Sequence, residues 1–255
     1  MDKPTDTPPA TTAVKAPDQE NPLTNIMVNI LIPVVALSML SKTGDKPWHI
    51  GPLWGMIIAV ALPAIYGVWY LAKNRKFNFF SVLGVVGILL TGTITLFVWN
   101  KDGSVKENAA LLFAIKEAAI PLILGAAILY SHKTSKPLVE VFMLNPDILD
   151  IARIEKAVDQ KGTRGQYDAM RLKGTWMLAG SLFLSSVFNF ILAMWFLANK
   201  ADRESYNAAV GKLTWVGFLV IGIPLMVIMM TGLFYLIRKI REITDLDKDE
   251  VFLPR

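Results

Sequence analysis

Two ionisable residues interrupt an apolar stretch of this chain and are its clearest candidates for chemistry. Lys116 and Glu117 lie within the apolar run 109–131. A charge in hydrocarbon costs about 2.5 kcal/mol or more on insertion scales, so its presence needs a cause. Either the two residues lie near the membrane surface, with Lys116 extending to the headgroups and Glu117 capping, or they face a bundle interior as an ion or solute site. Because sequence neighbours point about 100° apart on a helix, we expect each to meet a different partner on another span.

Two polar stripes indicate further candidates. Asn25 and Asn29 recur at a spacing of four residues, and Pro33 continues their stripe; Ser185 and Asn189 form a similar stripe further along the chain. Residues four apart share one helix face, so both stripes are predicted to face protein rather than lipid. They either form hydrogen bonds between helices or contribute to a polar site.

Prolines occupy two notable positions. Pro33 and Pro121 each follow an isoleucine within an apolar run, and each removes one helical hydrogen bond. Paired interruptions of this kind in two halves of a chain indicate a transporter's central site, although prolines also kink membrane helices without such a role. We treat both as candidate helix breaks.

Other chemistries find little support. The chain has no cysteine and two histidines, His49 and His132, with no partner at ligand spacing, so we expect no metal site. It also lacks a phosphate-binding glycine loop and a nucleophile elbow. We therefore expect no enzyme activity and no cofactor.

The composition places these residues in a membrane. Of the 255 residues, 53% are hydrophobic and 18% charged, against about 25% charged in soluble domains. Apolar runs long enough to cross a bilayer predict an all-α, polytopic bundle of six transmembrane helices. The predicted spans are 24–41, 52–72, 79–99, 109–131, 174–199 and 212–237.

Basic residues set the predicted orientation. The connections on one side, with both chain ends, hold 18 lysines and arginines, whereas the other side holds seven. The more basic side is cytoplasmic in membrane proteins, so both termini are predicted in the cytoplasm. The net charge of +5 is explained by topology and lipid headgroups, and no nucleic-acid partner is expected.

Three segments are predicted outside the spans. Residues 1–22 are rich in proline and predicted to be a disordered tail, and 238–255 to be a helical extension with a solvated, charged end. The loop 132–173 should contain an amphipathic helix that starts at Asn145 and stops at Gly162. This helix lies on headgroups, packs against the ends of the spans or docks a partner.

The two halves of the chain show an internal similarity. The first and fourth spans share Ile-Pro and a following Lys-Pro, and the third and sixth share Thr-Gly, at Thr91 and Thr231. With three spans in each unit, a genuine repeat would have inverted topology. The alternative is the chance similarity of six apolar helices.

Several segments resemble a family of uncharacterised bacterial six-span inner-membrane proteins. The segments that carry this resemblance are Asn29-Ile30-Leu31-Ile32-Pro33, Leu89-Leu90-Thr91-Gly92, Phe113 through Pro121, Leu178-Ala179-Gly180-Ser181 and Phe188-Asn189-Phe190. The stretch from Thr91 to Leu138 is similar, more distantly, to the intracellular septation protein A family, which is associated with the cell envelope and division. The resemblance implies a bacterial inner-membrane location, and no activity.

Two functions follow as hypotheses. The first is a transporter-like or channel-like protein for a small solute or ion, with a polar site at Asn25, Asn29, Lys116, Glu117, Ser185 and Asn189. The second is a non-catalytic envelope scaffold that recruits partners through its cytoplasmic loop. Membrane lipids, a second copy of the chain or an envelope protein are the expected partners.

Overall fold

The computed structural model describes residues 24, 27–74, 79–134, 137–145 and 148–253. Within these ranges the chain forms helices and no strands, with only isolated bridges between single residues. The prediction of an all-α protein is confirmed. The predicted tail, 1–22, and the candidate site residue Asn25 lie outside the described residues.

Nine helices follow one another along the described part of the chain. They are α1 (Met27–Leu40), α2 (Gly51–Asn74), α3 (Phe79–Phe97), α4 (Ala109–Ser131), α5 (Leu138–Met143), α6 (Ile151–Lys161), α7 (Arg164–Leu197), α8 (Arg203–Thr244) and α9 (Lys248–Val251).

Four of these helices are long and apolar enough to cross a membrane, namely α2, α4, α7 and α8. The first and third predicted spans correspond to shorter apolar helices, Met27–Leu40 and Val85–Phe97, within the described residues. The outward faces of the long helices expose aliphatic and aromatic side chains. Helices with such faces satisfy their own backbone groups and leave an apolar surface for lipid. These are the features of a helical membrane protein.

The last two long helices extend beyond their predicted spans. α7 begins at Arg164 rather than at 174, and α8 runs without interruption from Arg203 to Thr244 rather than from 212 to 237. The segment 132–173 is therefore not a simple loop with one helix, because it contains α5, α6 and the first turns of α7. The apolar pattern identified only the parts of α7 and α8 that are apolar all round.

The predicted amphipathic helix exists, but its start is wrong. α6 begins at Ile151, and its N-cap residue is Asp150. The Asp150 carboxylate accepts a hydrogen bond of 3.0 Å from the Arg153 backbone nitrogen. The predicted stop at Gly162 is confirmed by a left-handed φ of 66° there. The buried face of α6 includes Ile154 and Val158, and it packs against the end of α8. Of the three predicted placements, α6 takes the one against the ends of the spans.

Part of the carboxy-terminal segment folds back onto the protein. α9 follows α8, and Val251 is fully buried. The Asp150 backbone nitrogen donates to the Val251 carbonyl at 3.0 Å, and the Leu253 nitrogen donates to the Ile148 carbonyl at 3.0 Å. The acidic residues Asp245, Asp247 and Asp249 are exposed, as predicted for a solvated end, and the predicted helical extension continues to Thr244. The burial of Val251 was not predicted.

Two separate hydrophobic cores divide the molecule along its length. One core lies next to the loops that follow α3 and α7, and we call it the loop-side core. It joins α1 and α2 to the start of α4, the end of α7 and the start of α8, and includes Leu37, Phe113 and Tyr206. The cap core joins α5, α6 and α9 to the opposite ends of α4, α7 and α8, and includes Ile154 and Ile240. We call α5, α6 and α9 together the cap. The loop-side core surrounds the candidate site.

Two helices depart from α-helical bonding near prolines. α1 is a π-helix over Met27–Leu31 and Ala36–Leu40 on either side of Pro33, and α8 is a π-helix over Phe218–Gly222 just before Pro224. Proline lacks the N–H that the ladder needs, so the adjacent turns can widen. α4, by contrast, stays α-helical through Pro121. The predicted break at Pro121 is wrong, and a second π-helical turn occurs in α8 instead, without interrupting that helix.

Candidate functional site

A cavity of about 400 Å³ lies between the helices next to the loop-side core. All six of the longer apolar helices, α1 to α4, α7 and α8, contribute side chains to its wall. One residue from each, in chain order, is Pro33, Val60, Thr91, Glu117, Asn189 and Thr214. A space bounded by every apolar helix of the bundle is a natural place for a ligand in such a protein.

Lys116 and Glu117 form a direct ion pair at this cavity. The Lys116 Nζ lies 2.5 Å from a carboxylate oxygen of Glu117. The lysine side chain is 7% exposed and the glutamate side chain 30% exposed. Our expectation that neighbours on a helix do not pair with each other is wrong, because both side chains are long enough to turn into the same cavity. At a helical rise of 1.5 Å per residue, the pair lies about 10 Å along α4 from its first residue, Ala109.

Lys116 has two further partners. It donates a hydrogen bond of 2.7 Å to the Thr91 hydroxyl on α3, as expected of a partner on another span. Its Nζ also lies 4.3 Å from the centre of the Phe113 ring, one turn earlier on α4. A cation above an aromatic face is attracted by the ring's electrons. The ammonium group is thus held on three sides within the bundle.

Two of the candidate asparagines, Asn29 on α1 and Asn189 on α7, line the cavity. The Asn189 amide nitrogen donates to the Ser185 carbonyl at 2.8 Å and to the Ser185 hydroxyl at 3.2 Å. The Asn189 amide nitrogen is therefore committed to its own helix.

Ser185 itself does not reach the cavity. It lines a much smaller hollow of about 30 Å³ between α7 and α8, together with Ser181 and Ile221. Ser186, beside it, donates a hydrogen bond of 2.8 Å to the Ala118 carbonyl and ties α7 to α4. The α7 stripe is therefore partly a helix-packing element, and only its last member belongs to the cavity.

A layer of polar loops lies next to the loop-side core, which includes Val98, Val105 and Tyr206. We call the segments 41–50, 98–108 and 198–207 the loop layer. The Thr43 backbone nitrogen and hydroxyl donate to one oxygen of Glu204 at 2.9 and 2.6 Å. The fully buried Asn207 donates to the Ser41 hydroxyl and to the Pro52 carbonyl, each at 2.8 Å. These bonds fix the ends of α1, α2 and α8 to one another.

Sequence reasoning missed several polar residues of the site. The sequence pattern identified Thr91 only in the repeat and the family resemblance, not as a site residue, and did not identify Thr214. Two more hydroxyls, of Thr95 and Tyr206, are fully buried without a hydrogen-bond partner among the described residues. Each lies one helical turn from a cavity residue towards the loop layer. Threonine and tyrosine occur in apolar runs without interrupting them, so the hydropathy pattern carries no signal for them.

Metal binding finds no support in the described part of the chain. No group of three or more histidine or acidic side chains is close enough there to hold an ion. His132 lies 3.3 Å from the Thr175 hydroxyl, which places it in the packing of α7 rather than in the cavity.

Searches for relatives add no identification. Neither a protein-family model, nor a curated protein, nor a solved structure matches the chain.

Proposed function

We propose that this chain binds a small solute or ion in the cavity and carries it across a membrane as a transporter or channel. The observation that supports this is the convergence of six helices on one cavity with an ion pair in its wall. Fold class does not determine function, so the proposal depends on this site.

Six spans in an inner membrane are part of the proposal. The two shorter helices, Met27–Leu40 and Val85–Phe97, line the same cavity as the four longer ones. A helix that contributes to the interior of a membrane bundle belongs inside the membrane with its neighbours. The excess of basic residues on one side supports a cytoplasmic location for both termini. The family resemblance supports the bacterial inner membrane, and remains a prediction.

The cost of the ion pair supports a functional role. Buried ion pairs lose much of their attraction to desolvation, and apolar residues can replace them without loss of stability. Ionisable groups inside membrane bundles are uncommon and mark ion or substrate pathways. The volume of about 400 Å³ also falls within the range of about 300–1,000 Å³ that small-molecule sites occupy.

The proposal does not need an inverted repeat, which remains a prediction. The two threonines that suggested it have different contacts. Thr91 accepts a hydrogen bond from Lys116 at the cavity, whereas Thr231 donates to the Val227 carbonyl of its own helix at an exposed position.

The scaffold hypothesis has less support. It requires a free face on the cytoplasmic segment, but the apolar face of α6 is covered by the cap core. We therefore favour transport over recruitment of a partner through α6.

A matched pair of glycine substitutions tests the proposal. Gly87 lines the cavity, and a Cβ there would meet only the end of Ile120, at 3.6 Å. Gly180 is exposed on α7, with nothing within 4 Å of such a Cβ. In proteoliposomes loaded with mixed cations, anions and neutral solutes, Gly87→Leu should reduce flux of the transported solute at least tenfold. Gly180→Leu should leave the flux unchanged.

The controls separate blocking from misfolding. Both variants should show wild-type size-exclusion profiles and thermal unfolding temperatures within a few degrees of the wild type. Equal flux through Gly87→Leu and wild type, or no flux of any solute through the wild type, would contradict the proposal.

A further inference from the structure

Three hydrogen-bond donors at the cavity wall, Lys116, Thr91 and Thr214, are already occupied. Lys116 donates to Glu117 and to Thr91, and its third side faces the Phe113 ring. The Thr91 hydroxyl donates to the Gly87 carbonyl at 3.0 Å, and the Thr214 hydroxyl donates to the Val210 carbonyl at 2.9 Å. These side chains have few protons left to offer to a ligand.

Acceptor oxygens at the same wall remain available. Glu117 uses one carboxylate oxygen for Lys116, and the second makes no hydrogen bond in the described part of the chain. Asn189 commits its amide nitrogen to Ser185, which leaves its amide oxygen. The Thr214 oxygen donates its proton and keeps its lone pairs. A carboxylate accepts at both oxygens and an amide or hydroxyl oxygen accepts readily, so the cavity offers acceptors to a donor-rich ligand.

The volume of the cavity and the charge of its wall further restrict the class of ligand. A cavity of about 400 Å³ is far larger than the roughly 30 Å³ of liquid volume that one water molecule occupies, so a bare ion would not fill it. One carboxylate among neutral oxygens is also a poor site for a divalent cation, which prefers six or more oxygen ligands with several charges. Most of the remaining wall is aliphatic, with the Phe218 ring at one side.

From these features we infer that the cavity binds a small organic cation, a protonated amine with a short apolar body. This inference rests on the proposed function and names the substrate class of the same site. The ligand's ammonium group donates to the second oxygen of Glu117 and to the oxygens of Asn189 and Thr214. Lys116 keeps Thr91 and the Phe113 ring as partners, so it can share Glu117 with the ligand.

Ligand-induced stabilisation of the purified full chain tests the inference. The probes are butylammonium, butyrate, butanol and potassium at equal ionic strength, with thermal unfolding followed by tryptophan fluorescence. A ligand that binds only the folded state raises the unfolding temperature as its concentration exceeds the dissociation constant. We expect butylammonium to raise it saturably, and the other three probes to leave it unchanged.

Three variants locate the effect. Glu117→Gln removes the acceptor charge and should weaken butylammonium binding at least tenfold. Asn189→Leu removes a neutral acceptor and leaves Lys116 paired with Glu117. It should weaken butylammonium binding about threefold. Glu140→Gln is a matched carboxylate-to-amide change in the cap, outside the cavity, and should change it less than twofold.

The outcomes distinguish this inference from the proposed function. Saturable stabilisation by butyrate, or equal stabilisation by potassium and butylammonium, overturns the organic-cation inference while cavity-dependent flux still supports transport. Butylammonium binding that is unaffected by both Glu117→Gln and Asn189→Leu also overturns it. Flux that is insensitive to Gly87→Leu contradicts the proposed function itself.

Discussion

Two partly buried ion pairs in the described part of the chain lie in contrasting settings. Lys116 and Glu117 lie at the cavity, and Arg171 and Glu140 lie in the cap region at 2.8 Å. The cavity lysine has a single carboxylate partner, whereas Arg171 also lies 3.5 Å from Asp168. The arginine thus has a second acidic partner and the lysine does not.

The difference indicates which pair connects elements of the fold and which one is suited to a ligand. Arg171 joins α7 to α5 through Glu140, where the cap core packs tightly. Lys116 and Glu117 are adjacent on one helix, so their bond joins no elements except through Thr91. A pair that contributes little to assembly, and yet is retained in an apolar bundle, is best explained by its cavity.

The largest expected effect comes from removing Glu117. Glu117→Gln leaves an unpaired cation at a side chain that is 7% exposed, and loss of one partner of a buried pair costs on the order of 3 kcal/mol. The double variant Lys116→Met/Glu117→Gln should recover most of this stability. Glu140→Gln should cost less, because Arg171 keeps Asp168. Equilibrium unfolding of the wild type and the three variants in one detergent measures their free energies of unfolding. Equal losses of this free energy in Glu117→Gln and Glu140→Gln would contradict the proposed difference between the two ion pairs.

The next effect separates stability from transport. Ile154 is fully buried in the cap core, and an isoleucine-to-alanine change in a core costs about 2–5 kcal/mol. Ile154→Ala should lower the unfolding temperature, while flux per folded molecule stays at the wild-type value. Ile148→Ala, at an exposed position beside α6, is the control and should change neither quantity. A loss of flux in Ile154→Ala at a temperature where the protein is folded would show that the two regions do not act separately.

The smallest effect concerns pH. Burial raises the pKa of Glu140, against the opposing charge of Arg171. The folded state then binds the proton more tightly than the unfolded state, so this group's contribution to stability falls as the pH rises above the ordinary value of 4.5. Between pH 4.5 and 7, wild-type stability should therefore decrease more, or increase less, than that of Glu140→Gln. Parallel pH profiles for the two proteins would mean that burial does not act on this carboxyl group.

Much of the cavity could be predicted from residue type alone. Lys116, Glu117, Asn29 and Asn189 all line it, because polar groups in apolar runs avoid lipid and turn towards one another. Ser185 does not, for a geometric reason. Residues four apart on an α-helix differ by about 40° in direction, so a stripe drifts around the helix and its members face different neighbours.

Other features required the three-dimensional structure. The fold-back of Val251 depends on an apolar surface formed by α6 and α8, which no local pattern specifies. The π-helical turns likewise accompany Pro33 and Pro224 but not Pro121, although all three prolines look alike in sequence. Local propensity sets where helices can form, and tertiary packing determines which irregularities persist.

The continuity of α8 has a mechanical consequence. This one helix carries Thr214 at the cavity and Ile240 in the cap core, with the π-helical turn Phe218–Gly222 between them. A helix without a loop transmits rotation and translation along its axis, except where a widened turn absorbs them. A displacement of the cavity end of α8 that the π-helical turn does not absorb therefore reaches the cap. The flexibility of this turn determines how strongly the motions of the cavity and the cap are coupled.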